Sequence, residues 1–166
     1  MKKYIIINGA MGMGKSTVGK RVCEKLGRAA FIDGDFCLDI HPFVGNTETI
    51  TMARDNILHM SKNYFNCSEC DTVVLSWIMG EGMVNKIISR LSDVGFKIYS
   101  FVLTCSGETL AERWKQDTIN NWRNDENLSI AINSISDFEN RAGCVVVNTD
   151  GLSVDEVAEE VIKKLH

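Results

Sequence analysis

The sequence predicts an α/β fold of successive βαβ units wound around a parallel sheet. Three observations predict it. Apolar runs of strand length alternate with segments of helical periodicity along the whole chain. Several runs are continuous rather than alternating, such as Ile5-Ile6-Ile7 and Val145-Val146-Val147, which fits strands buried on both faces. A glycine-rich turn ending in Lys15-Ser16 stands between the first apolar run and the first helical pattern.

The elements follow in order. The first strand is expected at Lys3–Asn8. A helix over Ser16–Leu26 comes next, with Val18, Val22 and Leu26 one turn apart and Gly27 at the capping position. The second strand is Ala29–Asp33. The helix over Thr49–Phe65 carries Ile50, Ala53, Ile57, Met60 and Tyr64 on one face. Strand Thr72–Trp77 precedes a helix over Gly82–Val94, striped by Val84, Ile87, Ile88 and Leu91 and closed by Gly95. Strand Lys97–Thr104 leads to a short helix, Glu108–Lys115, with Leu110 and Trp114 one turn apart. A polar stretch separates it from a helix over Glu126–Glu139, and the last strand is Cys144–Asn148. The final helix opens with a capping box, Ser153-Val154-Asp155-Glu156. A single proline and the lack of any Gly/Ser-rich linker make residues 1–166 one domain.

Composition narrows the function. The formal net charge of −4 argues against a general nucleic-acid binder, which needs a basic surface to displace counterions. No stretch approaches the roughly 20 apolar residues of a membrane span. Lys2-Lys3 precede an apolar run too short for a secretory signal. The six scattered cysteines read as reduced thiols, Cys67 and Cys70 included, so the cytoplasm is the expected compartment.

The specific motif is Gly9-Ala10-Met11-Gly12-Met13-Gly14-Lys15-Ser16-Thr17, a match to GxxxxGK[ST] in the strand–turn–helix context the motif requires. Backbone N–H groups must turn inward around a phosphate, and Gly9, Gly12 and Gly14 permit that path. The following helix points its positive end at the anion. Lys15 can reach β- and γ-phosphates, Ser16 is the expected Mg²⁺ ligand, and Thr17 faces the α-phosphate. The expected cofactors are ATP and Mg²⁺.

The rest of the chain selects among phosphate-binding classes. No Asn-Lys-x-Asp follows a late strand; that region reads Asn148-Thr149-Asp150-Gly151. The third strand ends in Ser76-Trp77 rather than in the acidic pair of a motor ATPase. The acids come after the second strand, as Asp33-Gly34-Asp35. A carboxylate there faces the γ-phosphate crevice and can take the proton of an incoming hydroxyl. Asp33 is the expected catalytic acid–base group, and Asp35 is expected at the substrate and the metal. His41, Arg54 and Trp77 are candidate acceptor contacts.

The P-loop, Phe31-Ile32-Asp33-Gly34-Asp35 and His41-Pro42 together resemble the small P-loop kinases of the shikimate kinase, gluconate kinase and chloramphenicol phosphotransferase type. The resemblance implies a three-layer P-loop NTPase fold with a five-stranded sheet in the order 2-3-1-4-5. It also implies a small lid, here about residues 113–127, whose arginines close over the nucleotide; the matching residues are Arg113 and Arg123, the latter catalytic. The loop at Thr149 would border the adenine. The activity implied is transfer of the γ-phosphate of ATP to a small molecule. Two alternatives stay open. One is an ATP-binding regulatory module, because Leu128–Glu139 has no basic residue. The other is a nucleotide or polynucleotide kinase. The sequence allows a monomer or a homodimer and does not name the acceptor.

Overall fold

The computed structural model describes residues 1–117 and 123–165. Its strands are β1 (Lys3–Asn8), β2 (Ala29–Asp33), β3 (Thr72–Ser76), β4 (Lys97–Thr104) and β5 (Val145–Asn148). They form one parallel sheet in the order β2-β3-β1-β4-β5. The helices are α1 (Lys15–Leu26), α2 (Thr47–Asn66), α3 (Glu81–Val94), α4 (Gly107–Gln116), α5 (Asp125–Glu139) and α6 (Val154–Lys163).

Central position explains β1. Its residues alternate between two cores, so every apolar side chain is wanted. Ile5 and Ile7 pack with Val18 and Val22 of α1 and with Val157 and Val161 of α6. Tyr4 and Ile6 pack with Ala53 and Ile57 of α2 and with Val84, Ile87 and Leu91 of α3. The Tyr4 hydroxyl, fully buried, finds Ser61 Oγ on α2 at 2.9 Å. Burial drives its pKa well above the usual phenol value.

Three local departures from the sequence expectation have physical reasons. α2 starts at Thr47 because Thr49 is the third helical residue, closing a capping box with Asn46. A 3-10 turn, Phe36–Leu38, follows the Asp-Gly-Asp segment and is tied to α2 by a bond from Asn56 Nδ2 to Cys37 O. β5 is an edge strand, so Val145 and Val146 remain 42% and 40% exposed while Val147 is buried; its apolar run does not mean burial on both faces.

The parallel arrangement brings the ends of β1, β2 and β3, with the turns that follow them, to one edge of the sheet. α1 and α6 are laced together by Arg21 with Asp155 and Lys25 with Glu159. These pairs are exposed and screened by solvent, so they add little to stability.

Tyr4→Phe removes one buried hydrogen bond without stranding its partner, because Ser61 Oγ still donates to Ile57 O. Urea unfolding should show a loss of about 1 kcal/mol. Tyr4→Ala, which opens a cavity, should cost about 3–5 kcal/mol.

Candidate phosphate cradle and paired carboxylates

β1 ends in Asn8, and this buried side chain fixes the entrance of the P-loop. Its Oδ1 accepts from Gly9 N at 2.8 Å and from Met79 N at 3.1 Å, while Nδ2 donates to Met79 O at 3.0 Å. The glycine-rich turn is thus tied to the β3–α3 loop. Gly9, Gly12 and Gly14 take φ of 144°, 84° and 78°. At Gly12 a Cβ would also stand 3.0 Å from the Trp114 ring, so α4 packs directly on the loop.

Lys15 opens α1, and its side chain folds over the loop, Nζ donating to Ala10 O at 2.8 Å. Burial lowers its pKa to about 8, against the pull of Asp35 and Asp33. A part-buried ammonium beside a glycine-rich loop at a helix N-terminus suits a polyanion. Ser16 Oγ lies 3.2 Å from Ser76 Oγ at the end of β3, which pairs with Asp33 of β2. Hydroxyl and carboxylate oxygens on neighbouring strand and helix ends suit a hard divalent cation that also takes phosphate oxygens. The residues present therefore fit a nucleotide triphosphate with Mg²⁺.

The two carboxylates are held by an unusually close backbone approach. A Cβ at Gly34 would stand 2.1 Å from Trp77 Cγ, so only glycine lets the indole lie against this turn. Gly34 N donates to Ser76 O at 2.9 Å, and Asp35 N donates to Asp33 Oδ1 at 3.1 Å. The pKa of Asp35 is raised, chiefly by burial and then by the Asp33 charge; Lys15 and a hydrogen bond from Trp77 pull it back. Trp77 was expected to offer a stacking face to an acceptor. It is 5% exposed and packs against the Gly34 turn.

The remaining candidates fall in three places. Arg113 and Thr149 come together: Nη1 donates to Thr149 Oγ1 at 2.9 Å and Nη2 to Thr149 O at 3.0 Å. Thr149 is itself anchored to Thr104 O by its N–H and its hydroxyl. Arg123 pairs with Asp117 at 2.7 Å and lies over the Trp114 ring at 4.9 Å, closing the base of the proposed lid. Of that lid, residues 118–122 lie outside the described residues. Arg54 and His41 are not brought to the carboxylates by any bond. Arg54 pairs with Asp55 at 2.8 Å and lines a groove between α2 and α3, and exposed His41 pairs with Asp39 at 2.9 Å.

Sequence reasoning missed Asn8, Ser76 and Arg141. Asn8 and Ser76 are polar residues ending otherwise apolar strands, a legible signal of a site edge. Arg141 follows α5, stacks on Phe138 at 3.9 Å and donates to Met79 O. Its bond joins residues 62 apart in sequence, which no local pattern reveals.

Comparison with known proteins places this geometry. The family model described as an AAA domain matches residues 5–134, and the chain belongs to that family of P-loop proteins. Within it, β3 ends in a serine rather than an acidic pair. The fold is that of the small P-loop kinases. A gluconokinase from Sinorhizobium meliloti superposes with a TM-score of 0.72 at 18% identity, over 97% of this chain and 90% of that one. A tunicamycin resistance protein from Deinococcus radiodurans gives 0.67 at 16%, over 99% and 96%. A shikimate kinase from Aquifex aeolicus gives 0.65 at 17%, over 98% and 95%. No curated protein matches in sequence. Among the described residues, no helix is long and apolar enough to cross a membrane.

Lys15→Met tests the burial of the ammonium. At pH 7 the lysine is protonated in both folded and unfolded chains, so the folded state carries the full desolvation cost. The unfolded lysine titrates near 10.5 and the folded one at about 8, so between these values the unfolded state holds more protons and stability rises with pH. Ligand-free Lys15→Met should therefore be more stable than the parent at pH 7, by on the order of 2–3 kcal/mol. The difference should shrink from pH 8 to pH 10. Paired denaturant titrations at pH 7 and pH 10 check this.

Proposed function

We propose that this protein transfers the γ-phosphate of Mg²⁺–ATP to a hydroxyl of a small molecule. The observation that carries this reading is the half-buried Lys15 ammonium, set between a P-loop and the paired carboxylates of Asp33-Gly34-Asp35. The kinase names of the structural neighbours support it. The P-loop amides and Lys15 hold the phosphates, and Arg113 with Thr149 borders the nucleotide. Ser16, with Asp35 nearby, would hold Mg²⁺, which supplies charge neutralisation on the phosphate oxygens.

The bond changes balance simply. The acceptor oxygen bonds to the γ-phosphorus as the bond from that phosphorus to the bridging oxygen breaks. ADP leaves with the electron pair, and the hydroxyl proton passes to Asp33. The protein's share is positioning and charge stabilisation, with Arg123 as the proposed cation for the transferring group. Free thiols and dependence on ATP suit the cytoplasm.

A second reading, an ATP-binding regulatory module, is favoured by one observation. Arg141 is the first basic residue after the start of α5, and it is engaged on a backbone carbonyl.

The test separates binding from transfer. Isothermal titration should show Mg²⁺–ATP binding that is lost in Lys15→Ala. In Asp33→Asn, ATP affinity should persist while acceptor-dependent ADP release falls by roughly 10²–10⁴-fold. ATP binding with no acceptor-dependent release over a broad panel of alcohols would leave the regulatory reading standing.

ATP affinity should also fall as pH rises above about 8, because the ligand-free lysine loses its proton there and binding must restore it. The slope should approach tenfold per pH unit. Lys15→Arg, which stays charged, should remove the slope.

A further inference from the structure

A groove between α2 and α3 reverses the sign of the chain. The formal net charge is −4, yet this groove is walled by cations. Arg54 and Lys62 stand on its α2 side, and Lys86 and Arg90 on its α3 side. Among the described residues that line it, Asp55 is the one acid, and none belongs to the phosphate loop or to the Asp33-Gly34-Asp35 turn.

Most of this positive charge is not neutralised within the protein. Asp55 pairs with Arg54. Lys62, Lys86 and Arg90 make no hydrogen bond or ion pair among the described residues. Elsewhere on the helices Arg21, Lys25 and Lys163 are all paired. Lys86 and Arg90 are exposed and lie one turn apart on α3, a spacing at which like charges repel. Lys62, also exposed, stands on the opposite wall.

We propose that this groove binds a short oligophosphate, a ligand whose negative charges repeat at close intervals. A compact monoanion answers one wall only, whereas a charged chain answers both. Arg90 offers a planar fork to phosphate oxygens, and the two lysines offer mobile point charges. His59, Asn85 and Ser89 line the same groove and add hydrogen-bonding groups. Its volume of about 680 Å³ is that of a small-ligand site. The charge pattern also limits length. From Arg54 to Lys62 the helix rises about 12 Å. Acids stand further along the helices: Glu48 and Glu81 in the first turns of α2 and α3, and Asp93 near the end of α3. A long polyanion such as a nucleic-acid strand would run from the cations onto these acids. Among the described residues no aromatic side chain lines the groove, so bases find no stacking surface there.

The inference stands apart from the kinase reading, because the phosphate loop takes no part in it. The test is isothermal titration of tripolyphosphate into the full chain, with the phosphate loop saturated by a non-hydrolysable Mg²⁺–ATP analogue. One tripolyphosphate per chain should bind. Its affinity should fall by about tenfold or more in Lys86→Ala with Arg90→Ala, while the analogue binds unchanged. Lys62→Gln, on the other helix, should weaken it as well. The ligand-free melting temperature of the double variant should not drop, because repulsion on α3 is relieved. The rise in melting temperature that tripolyphosphate gives the parent should vanish in that variant. Equilibrium dialysis against labelled ATP separates two sources of the same chemistry. A second ATP per chain, lost in the double variant, marks the tail of a nucleotide; one ATP per chain beside bound tripolyphosphate marks the free oligophosphate. Either result supports the inference. Tripolyphosphate that is displaced by the analogue, bound equally well by the double variant, or not bound at all overturns it. So does binding of a single-stranded oligonucleotide in its place.

Discussion

Desolvation of the Lys15 ammonium organises the site. A charged group held largely out of water must be compensated, and the Ala10 carbonyl and the two carboxylates beyond β2 converge on it. None of these satisfies it fully, which is why its proton is held loosely. The ligand-free protein thus stores free energy at this point that an incoming polyanion releases. The sheet order places β1 and β2 on either side of β3, so the loop and the carboxylates share one edge.

Much of the fold was legible because the sheet is parallel. Strands buried on both faces leave continuous apolar runs, and β1, β3 and β4 inside the sheet can be read directly from them. β5 shows the limit. Its valines look the same in sequence as the isoleucines of β1, yet it lies at the edge and two of them face outward. Composition does not encode position in a sheet. The phosphate cradle was legible because its backbone path demands glycines at fixed intervals. The detail around it was less so. The packing of Trp77 on Gly34, the Asn8 tie to Met79 and the reach of Arg141 all join segments distant in the chain, and each depends on how loops settle after the sheet has formed.

The end of α4 illustrates how such long-range contacts connect the elements. Trp114 of α4 abuts Gly12 of the P-loop, and Arg123 lies over the same indole while pairing with Asp117. A chain of contacts therefore runs from the phosphate loop through an aromatic ring to the start of α5. Arg113, one residue before that ring, ties the same helix to Thr149 at the far side of the nucleotide crevice. The C-terminal turn of α4 is thus held on one side against the P-loop and on the other against Thr149.

The contact between Gly34 and Trp77 has an evolutionary consequence. The indole fills the space where any side chain at residue 34 would grow, so the turn and the tryptophan can change only together. The carboxylates that flank the turn are therefore shielded from gradual drift. Within the stretch that follows, Cys37 and Leu38 are anchored in the core, whereas Phe36 and Phe43 reach water. A locked turn is thus followed at once by aromatic side chains that carry no such packing constraint and are free to change one at a time.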